Sequence, residues 1–309
     1  MWQHMTEVTA VPARPPARPA EPARGPIVVL SYAFAGADLL TEALSASRSL
    51  ACTSGTGLIP LCHAALAAWQ QADDRTGPPS ALAITSVRTL AGAMMAAIQA
   101  RTGAARWCET ALAQPAAADS FLQVFPSAAF VCVHRDLPGV LADGLAACPW
   151  GLGGSPFWSH AARHPGNSVA AIAAWWAAAA RSLLDFEARH PSSCTRAHHE
   201  HIAADPAAAA ARIISRLRLH AGDTSAGRAH AGAAAGPAAG PAASSMPTAV
   251  SRDVPASQLR PTALRQLIGP DLLLAISHVQ DELGYDQLTS APDPHDTTGG
   301  EPRPTGKAT

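Results

Sequence analysis

The chain has few charged residues, few aromatic residues and almost no net charge. Charged residues make up 15% and aromatic residues 5% of its 309 residues, and the net charge at pH 7 is −1. Proteins that bind nucleic acid or an acidic membrane surface carry a basic excess, so we expect neither kind of partner. The 48% of hydrophobic residues can fill a large core. Because much of this content is Ala, we expect closely packed helices.

The cysteine spacing of a metal site or a disulfide framework is also missing. None of the six cysteines forms a CxxC pair. Three lie in apolar runs, so we expect buried free thiols. The longest apolar run, Ser168–Ala180, is shorter than a membrane span. Because residues 1–25 contain no apolar segment typical of a signal peptide, we expect a cytoplasmic protein.

Composition predicts one main domain with three segments of low complexity. Residues 1–25 are rich in Pro, Ala and Arg, and residues 290–309 form a polar tail. Residues 221–250 are rich in Gly, Ala and Pro and lack hydrophobic periodicity, which is typical of a flexible insertion. We therefore predict a domain in two parts, residues 26–220 and residues 251–289.

The domain begins with a pattern typical of a phosphate-binding loop. The β-branched run Pro26–Leu30 predicts a buried strand, and the small-residue stretch Ser31–Ala37 predicts a turn. Helical spacing of apolar residues follows from Asp38 to Leu44. Strand, turn and helix in this order commonly open an α/β fold that binds phosphate.

Further elements alternate along the chain. A second buried strand is predicted at Phe130–His134, after a turn at Phe125–Ser127. Helices are predicted at 64–70, 85–100, 169–190, 206–219 and 263–283. Asp205 is the expected N-cap of the fourth of these helices and Gly284 the expected C-cap of the last. The alternation predicts a mostly parallel sheet with helices on both faces.

Six segments in order resemble motifs of the tyrosylprotein sulfotransferases. The loop unit comes first. Cys52–Pro60 then resembles the family's Cys-Gly-Glu-Glu-Thr-Arg-x-Ile-Pro, and Arg106-Trp107-Cys108 resembles the start of its Arg-Trp-x-x-Lys-Asp-Pro. Phe125-Pro126, with a strand ending in Arg135-Asp136, is similar to the element that grips the 3′-phosphate of the cofactor.

The later segments continue the resemblance. His198–Ile202 with Asp205-Pro206 resembles Tyr-Glu-Asp-Leu…His-Pro, whereas Ser251–Val254 and Leu283–Asp286 resemble the closing Ser-x-Asp-x-Val and Leu-Gly-Tyr-Asp elements. The resemblance spans roughly residues 26 to 287 apart from the insertion.

This resemblance implies a fold, a reaction and a binding site. The implied fold is a three-layer αβα fold with a central parallel sheet, a sulfotransferase fold similar to P-loop NTPases. The implied reaction transfers a sulfuryl group from PAPS (3′-phosphoadenosine 5′-phosphosulfate) to a tyrosine hydroxyl of a peptide or protein, and a homodimer is compatible with it. The positions that the resemblance assigns to the cofactor are Tyr32, Ala33, Phe34, Ala35, Gly36, Ala37, Asp38, Arg135 and Asp143.

Most residues that would perform this chemistry are replaced. Sulfuryl transfer, like phosphoryl transfer, depends on positioning and on cations around the transferred group, and a base must take the phenol proton. The family's loop cation falls on Phe34, its catalytic Glu on Gly55 and the neighbouring Arg on Gly57. The Lys of the Lys-Asp-Pro element falls on Thr110, and the Ser that follows the 3′-phosphate Arg falls on Asp143. We therefore expect a weakened or inactive enzyme.

Three hypotheses follow for the function. The first is a PAPS-dependent enzyme with residual activity, although Asp38 at the helix N-terminus would repel the donor. The second is a non-catalytic scaffold or chaperone that still binds peptide. The third is an enzyme of altered chemistry that uses Asp38, Asp143 or His134, of which His134 and Asp143 are also the candidate catalytic residues. His63 could act as a base as well.

Other residue patterns favour structural roles. His198, His199 and His201 with Glu200 could suggest a metal site, but no matching pair occurs elsewhere and we expect no metal. Core packing is expected for Trp175 and Trp176. Gly151–Gly154 lacks the strand that precedes a dinucleotide-binding loop, so we interpret it as a flexible turn.

Overall fold

A computed structural model describes residues 25–72, 77–217 and 261–285. In chain order its elements are β1 (Ile27–Ser31), α1 (Ala37–Ser45), β2 (Leu50–Ser54), α2 (Leu58–Ala72), α3 (Ala81–Thr102), β3 (Arg106–Leu112), α4 (Pro115–Val124), β4 (Ala129–His134), α5 (Leu137–Ala147), α6 (Trp158–Ala161), α7 (Ser168–Arg189), β5 (Cys194–His198), α8 (His199–Ala204), α9 (Pro206–Arg216), α10 (Pro261–Leu267) and α11 (Pro270–Leu283). The predicted N-terminal tail before Gly25, the insertion 221–250, the Ser251–Val254 motif, Asp286 and the tail 290–309 lie outside the described residues.

The strands form one parallel sheet in the order β2-β3-β1-β4-β5. All five residues of β1 are buried, because this strand lies between β3 and β4 with helices above and below. Since the carboxyl ends of parallel strands meet at one edge, the loops after β1 and β4 lie side by side there.

Helices cover both faces of the sheet. One core packs α2, α3, α4, α5, α7 and α11 against residues such as Val28, Trp107 and Phe130. The other packs α1, α8 and α9 against Ile27 and Val131. The expected three-layer α/β fold with a central parallel sheet is confirmed.

The sequence located the most hydrophobic elements and missed others. The strand after Pro26, the strand at Phe130–His134 and the long helix from 169 are confirmed. The Asp205 cap is also confirmed, since its carboxylate accepts the N–H of Ala208 at 2.9 Å. Strands β2, β3 and β5 were not predicted. The single helix expected at 263–283 is wrong, because Ile268 and Gly269 separate α10 from α11, which begins at Pro270.

Two helices have the length and apolar composition of a membrane span, Ala81–Thr102 and Ser168–Arg189. More than half of the most apolar stretch of the second is buried inside the protein, as in a core helix, whereas the first is mostly exposed. Length and composition alone are weak evidence, since core helices commonly meet both criteria.

Candidate functional site

The loop between β1 and α1 forms a tight turn at the carboxyl edge of the sheet. The N–H of Ala35 donates to the carbonyl of Tyr32 at 3.1 Å. Phe34 has a φ of 65° and Gly36 a φ of 72°, so both lie in the left-handed region. A non-glycine residue rarely adopts this conformation without compensation. The turn is therefore tight, with a bulky aromatic residue held in the left-handed conformation.

Arg135 lies beside this loop and is already engaged. Its Nη1 donates to the carbonyl of Phe34 at 2.9 Å and to Oδ2 of Asp143 at 2.5 Å. The side chains of Arg135 and Asp143 are 16% and 12% exposed. The structure thus brings together three residues that the resemblance assigns to the cofactor, Phe34, Arg135 and Asp143, and they bind one another.

The backbone of Arg135 is held equally firmly. The Tyr32 hydroxyl accepts the N–H of Arg135 and donates to its carbonyl, both at 2.9 Å, and Nε1 of Trp176 donates to the same carbonyl at 3.0 Å. Burial raises the pKa of Tyr32 well above its ordinary value, so the hydroxyl stays protonated for this role. Trp176 is completely buried, which confirms the expected core packing.

Aromatic rings fill the space over the loop. The ring of Phe34 stacks on Phe157 with centroids 5.5 Å apart, and Phe157 meets Trp175 edge-on at 4.9 Å. Trp175 also contacts Tyr32 edge-on at 6.1 Å. Phe34, on which the resemblance places a cation, therefore belongs to an apolar cluster.

His199 closes the other side of the loop. A Cβ atom built on Gly36 would lie 2.2 Å from Nδ1 of His199, so only glycine fits here. This Nδ1 is buried and has no hydrogen-bond partner among the described residues. Burial, together with the charge of Arg135, lowers the pKa of His199, so the ring is a neutral imidazole near pH 7. Asp38, by contrast, is exposed on the first turn of α1.

These contacts do not fit PAPS. A phosphosulfate needs unpaired donors and positive charge at the loop. The Nη1 of Arg135 is taken by Phe34 and Asp143, and an imidazole lies against the glycine that would approach the anion. A carboxylate stands in the place of a second donor. The residues of the described site bind one another.

A buried carboxylate that the sequence analysis missed organises the β2–α2 loop. Glu109 on β3 is 1% exposed. It accepts hydrogen bonds from the Thr53 hydroxyl at 2.5 Å, the Thr56 N–H at 2.7 Å and the Thr56 hydroxyl at 2.9 Å. Gly55, on which the resemblance places a catalytic Glu, has a φ of 66°. The hydroxyl of Thr110, on which the resemblance places a Lys, bonds to Thr41.

The candidate catalytic histidine lies in a buried ion network. His134 is 0% exposed and its Nε2 lies 2.8 Å from Oε1 of Glu187. Arg196 binds the other oxygen of Glu187 through Nε at 2.8 Å. Burial opposes ionisation of Glu187, but the contacts with His134 and Arg196 lower its pKa overall. This arrangement favours a structural role for His134, because a substrate would have to displace the core to reach it.

Two of the family-like segments meet in space. The hydroxyl of Tyr285 donates to Oε2 of Glu200 at 2.9 Å, and Oε1 of Glu200 accepts the N–H of Asp136 at 3.0 Å. The ring of His198 contacts Tyr285 edge-on at 5.2 Å. Glu200 therefore joins the end of α11 to the end of β4. The separation of these residues in the sequence hides this link.

The remaining candidates lie away from the loop. His63 is exposed, and its Nδ1 lies 2.9 Å from the Ser120 hydroxyl. Within the described ranges, no group of three or more His, Cys, Asp or Glu residues could hold a metal ion. Gly151–Gly154 lies in a turn.

Comparison with known proteins gives the family. A model of the sulfotransferase family matches residues 26–223. No curated protein sequence matches the chain.

Several solved structures resemble the chain at low identity. The sulfotransferase domain from the curacin biosynthetic pathway is 12% identical, with 64% of this chain and 75% of that chain covered and a TM-score of 0.46. The sulfotransferase domain of the Synechococcus PCC 7002 olefin synthase is 14% identical, with 87% and 98% covered and a TM-score of 0.43. Sulfotransferase STF1 from Mycobacterium tuberculosis H37Rv is 15% identical, with 64% and 68% covered and a TM-score of 0.39.

The finer resemblance to the tyrosylprotein branch stays a prediction.

The family match spans well over half of the chain and includes the β1–α1 loop, Arg135 and Glu200. The chain therefore belongs to the sulfotransferase family.

Proposed function

We propose that this chain is a non-catalytic member of the protein-tyrosine sulfotransferase branch, a scaffold or chaperone that binds a tyrosine-bearing peptide or protein. The observation that carries the proposal is the double engagement of Arg135 by Asp143 and the Phe34 carbonyl. This contact occupies one nitrogen, Nη1, of the guanidinium that would otherwise grip the 3′-phosphate of PAPS, and it pairs the positive charge with a carboxylate.

Loss of catalysis follows from the chemistry of sulfuryl transfer. Removing a single preorganised donor typically lowers the rate by about 10²–10³. Here the loop cation is replaced by Phe34, the second cation by Thr110 and the base by Gly55. Because residues of one site act as a unit, these losses cannot simply be multiplied. The usual mechanism still has neither its charge stabilisation nor its proton acceptor.

An exposed aromatic surface supports the proposal that the chain still binds a peptide. Trp150 is 98% exposed and Trp158 is 61% exposed. Tryptophan is enriched among the residues that contribute most to binding at protein interfaces. Large exposed apolar patches commonly mark sites of interaction. A cavity of about 270 Å³ lies beside Trp158 and is also lined by Leu152, His164 and Asn167. It has room for a side chain of a partner.

The charge of this surface indicates the partner. Residues 144–184 contain no Asp or Glu, whereas His160, Arg163 and His164 lie among them. Burial lowers the pKa of His160, and the neighbouring Arg163 and His164 lower it further. Charge complementarity favours a peptide with acidic residues around its tyrosine.

Calorimetry with four ligands tests both parts of the proposal. The ligands are PAPS, its desulfated nucleotide, a peptide with a tyrosine between acidic residues, and the same peptide with Lys in place of the acidic residues. We expect dissociation constants weaker than about 1 mM for both nucleotides, and saturable binding of the acidic peptide alone. Micromolar binding of PAPS together with sulfation of the peptide would overturn the proposal.

Three variants locate the causes. Asp143→Ser frees Arg135 and should give measurable binding of the desulfated nucleotide, which the double variant with Arg135→Ala should lose. Trp150→Ala should weaken peptide binding at least tenfold. Trp69→Ala is not suitable as its control, because Trp69 packs against the core. Leu274→Ala, an exposed apolar residue on α11, is the matched control and should leave peptide binding unchanged.

A further inference from the structure

Two cysteines lie directly opposite each other on neighbouring strands. Cys52 on β2 and Cys108 on β3 are register partners in the parallel pair. Adjacent strands are about 4.8 Å apart, which falls within the Cα separation of about 4.4–6.8 Å that a disulfide requires. Both side chains face the same core, formed with α1 and α9. The backbone therefore places the two thiols within bonding reach.

The two thiols also interact, and their surroundings differ. A hydrogen bond from Cys108 lowers the pKa of Cys52, whereas the same contact, followed by burial, raises the pKa of Cys108. Cys52 is half-buried and Cys108 is buried. A thiolate is therefore favoured at the more accessible sulfur, and a protonated thiol lies next to it.

A second pair of thiols provides an internal comparison. Cys132 on β4 and Cys194 on β5 also share a hydrogen bond. In that pair of strands the register partner of Cys194 is Phe130, two residues before Cys132. Two residues along a strand and one strand across give a Cα separation of roughly 8 Å, beyond the limit of about 7 Å for a disulfide. We expect this diagonal pair to stay reduced in the folded protein.

We propose that Cys52 and Cys108 are a redox modification site that closes to a disulfide when the protein meets hydrogen peroxide. The Cys52 thiolate attacks one oxygen of the peroxide, which gives a sulfenic acid and hydroxide. The hydroxide takes a proton to become water. The Cys108 sulfur then displaces the sulfenic oxygen, which leaves as a second water with the Cys108 proton. In balance, two thiols and one peroxide give one disulfide and two waters.

The disulfide would act on the segment next to the candidate site. Cys52 is followed directly by Thr53 and, in the β2–α2 loop, by Thr56. Both threonines bind Glu109. Among the described residues, β2 is an edge strand that pairs with β3 alone. A covalent link between these strands ties the β2–α2 loop to the sheet and restricts the unfolded chain, which stabilises the fold. This inference does not depend on the proposed function.

Peroxide treatment of the reduced full chain, followed by mass spectrometry under native conditions, tests the site. We expect the intact mass to fall by two hydrogen atoms and the alkylatable thiols to fall from six to four. Because one arginine-to-arginine fragment contains both Cys108 and Cys132, digestion must also cut at Glu109 and Asp119. Fragment sequencing then separates Cys52 from Cys62. Dithiothreitol should reverse the change.

Two variants and one physical readout complete the test. Cys52→Ser should abolish the disulfide, whereas Cys194→Ser, also a half-buried strand thiol, should leave it intact. The oxidised wild type should melt at a higher temperature than the reduced protein, with slower amide exchange in β2. A Cys132–Cys194 link, oxidation of Cys52 without a link, or no reaction at Cys52 would each overturn the proposal, and the wild-type map decides this even if a variant does not fold.

Discussion

Arg135 and Asp143 form an ion pair 2.5 Å long between the end of β4 and the second turn of α5. The two residues are eight positions apart and both are mostly buried. The family resemblance places a nucleotide phosphate between an Arg and a hydroxyl at these positions. In this chain Asp143 stands where the resemblance has the hydroxyl, and its carboxylate pairs with Arg135.

Asp143→Asn should destabilise the protein, because it removes the charge that a partly buried guanidinium is paired with. Hydrogen bonds to charged groups contribute about 1.5–3 kcal/mol, and we expect the free energy of unfolding to fall by about 2 kcal/mol. Urea denaturation measures this change. Asp185→Asn, an exposed Asp on α7, should change it by less than about 0.5 kcal/mol. Equal effects for both variants would show that the ion pair contributes nothing to stability.

Gly36→Ala should lower the free energy of unfolding more than the same change at another glycine with a left-handed backbone. Gly36 and Gly103 have φ values of 72° and 70°. A Cβ at Gly36 would lie 2.2 Å from Nδ1 of His199, whereas at Gly103 it would meet nothing within 4 Å. Left-handed backbone costs about 1–2 kcal/mol at either site. The clash at Gly36 adds about 1–3 kcal/mol.

Chemical denaturation of both variants gives the excess cost at Gly36. Adding His199→Ala to Gly36→Ala should remove most of that excess, because the smaller side chain leaves room for the new methyl group. Equal losses of stability for Gly36→Ala and Gly103→Ala would mean that the imidazole moves aside freely, and that it does not close the loop.

The sequence predicted the two strands that are continuous hydrophobic runs, β1 and β4, and missed the other three. Strand β1 is a continuous hydrophobic run, since both of its faces and both of its edges are covered. The edge strands contain fewer large apolar residues: β2 reads Leu-Ala-Cys-Thr-Ser and becomes exposed toward its end, and β5 reads Cys-Thr-Arg-Ala-His and is half-buried, so no continuous hydrophobic run marks them. β3 lies inside the sheet but carries the buried residues Arg106 and Glu109. Their partners are distant in sequence, which local patterns do not reveal.

The sequence predicted where the candidate site lies but not how its residues contact one another. Motif order located the loop, Arg135 and the replaced charges. It could not indicate that Asp143 neutralises Arg135 or that His199 packs against Gly36, because these contacts depend on how α5 and α8 approach the loop. Glu109 carried no signal in the sequence, since its role arises only when β2 and β3 pair.

Glu109→Gln should loosen the β2–α2 loop. The carboxylate accepts three hydrogen bonds in a buried position. In Gln a nitrogen replaces one of the two oxygens, and this nitrogen cannot accept the hydrogen bonds that the oxygen accepted. We expect a loss of about 1–3 kcal/mol in the free energy of unfolding, together with faster amide exchange at Thr56. Glu42→Gln, an exposed residue on α1, is the matched control. Unchanged exchange at Thr56 would contradict this role of Glu109.

Stability should fall as the pH drops below the ordinary histidine value of 6.5, partly because of His199. Burial and Arg135 lower its pKa in the folded state, although Glu200 and Asp143 act in the opposite direction. The unfolded chain therefore takes up a proton on His199 at a higher pH than the folded chain does. The stability that this neutral ring provides is complete above pH 6.5 and is lost as the pH falls through its folded-state pKa.

Urea denaturation at a series of pH values between neutral and mildly acidic tests this dependence. A single group contributes at most about 1.4 kcal/mol per pH unit. His199→Gln should reduce the slope by a part of that amount, while His201→Gln, which changes an exposed residue on the same helix, should leave it as in the wild type. Some slope should persist in His199→Gln, because burial also lowers the pKa of His198. If the two variants give the same slope, His199 is already solvated and does not close the loop.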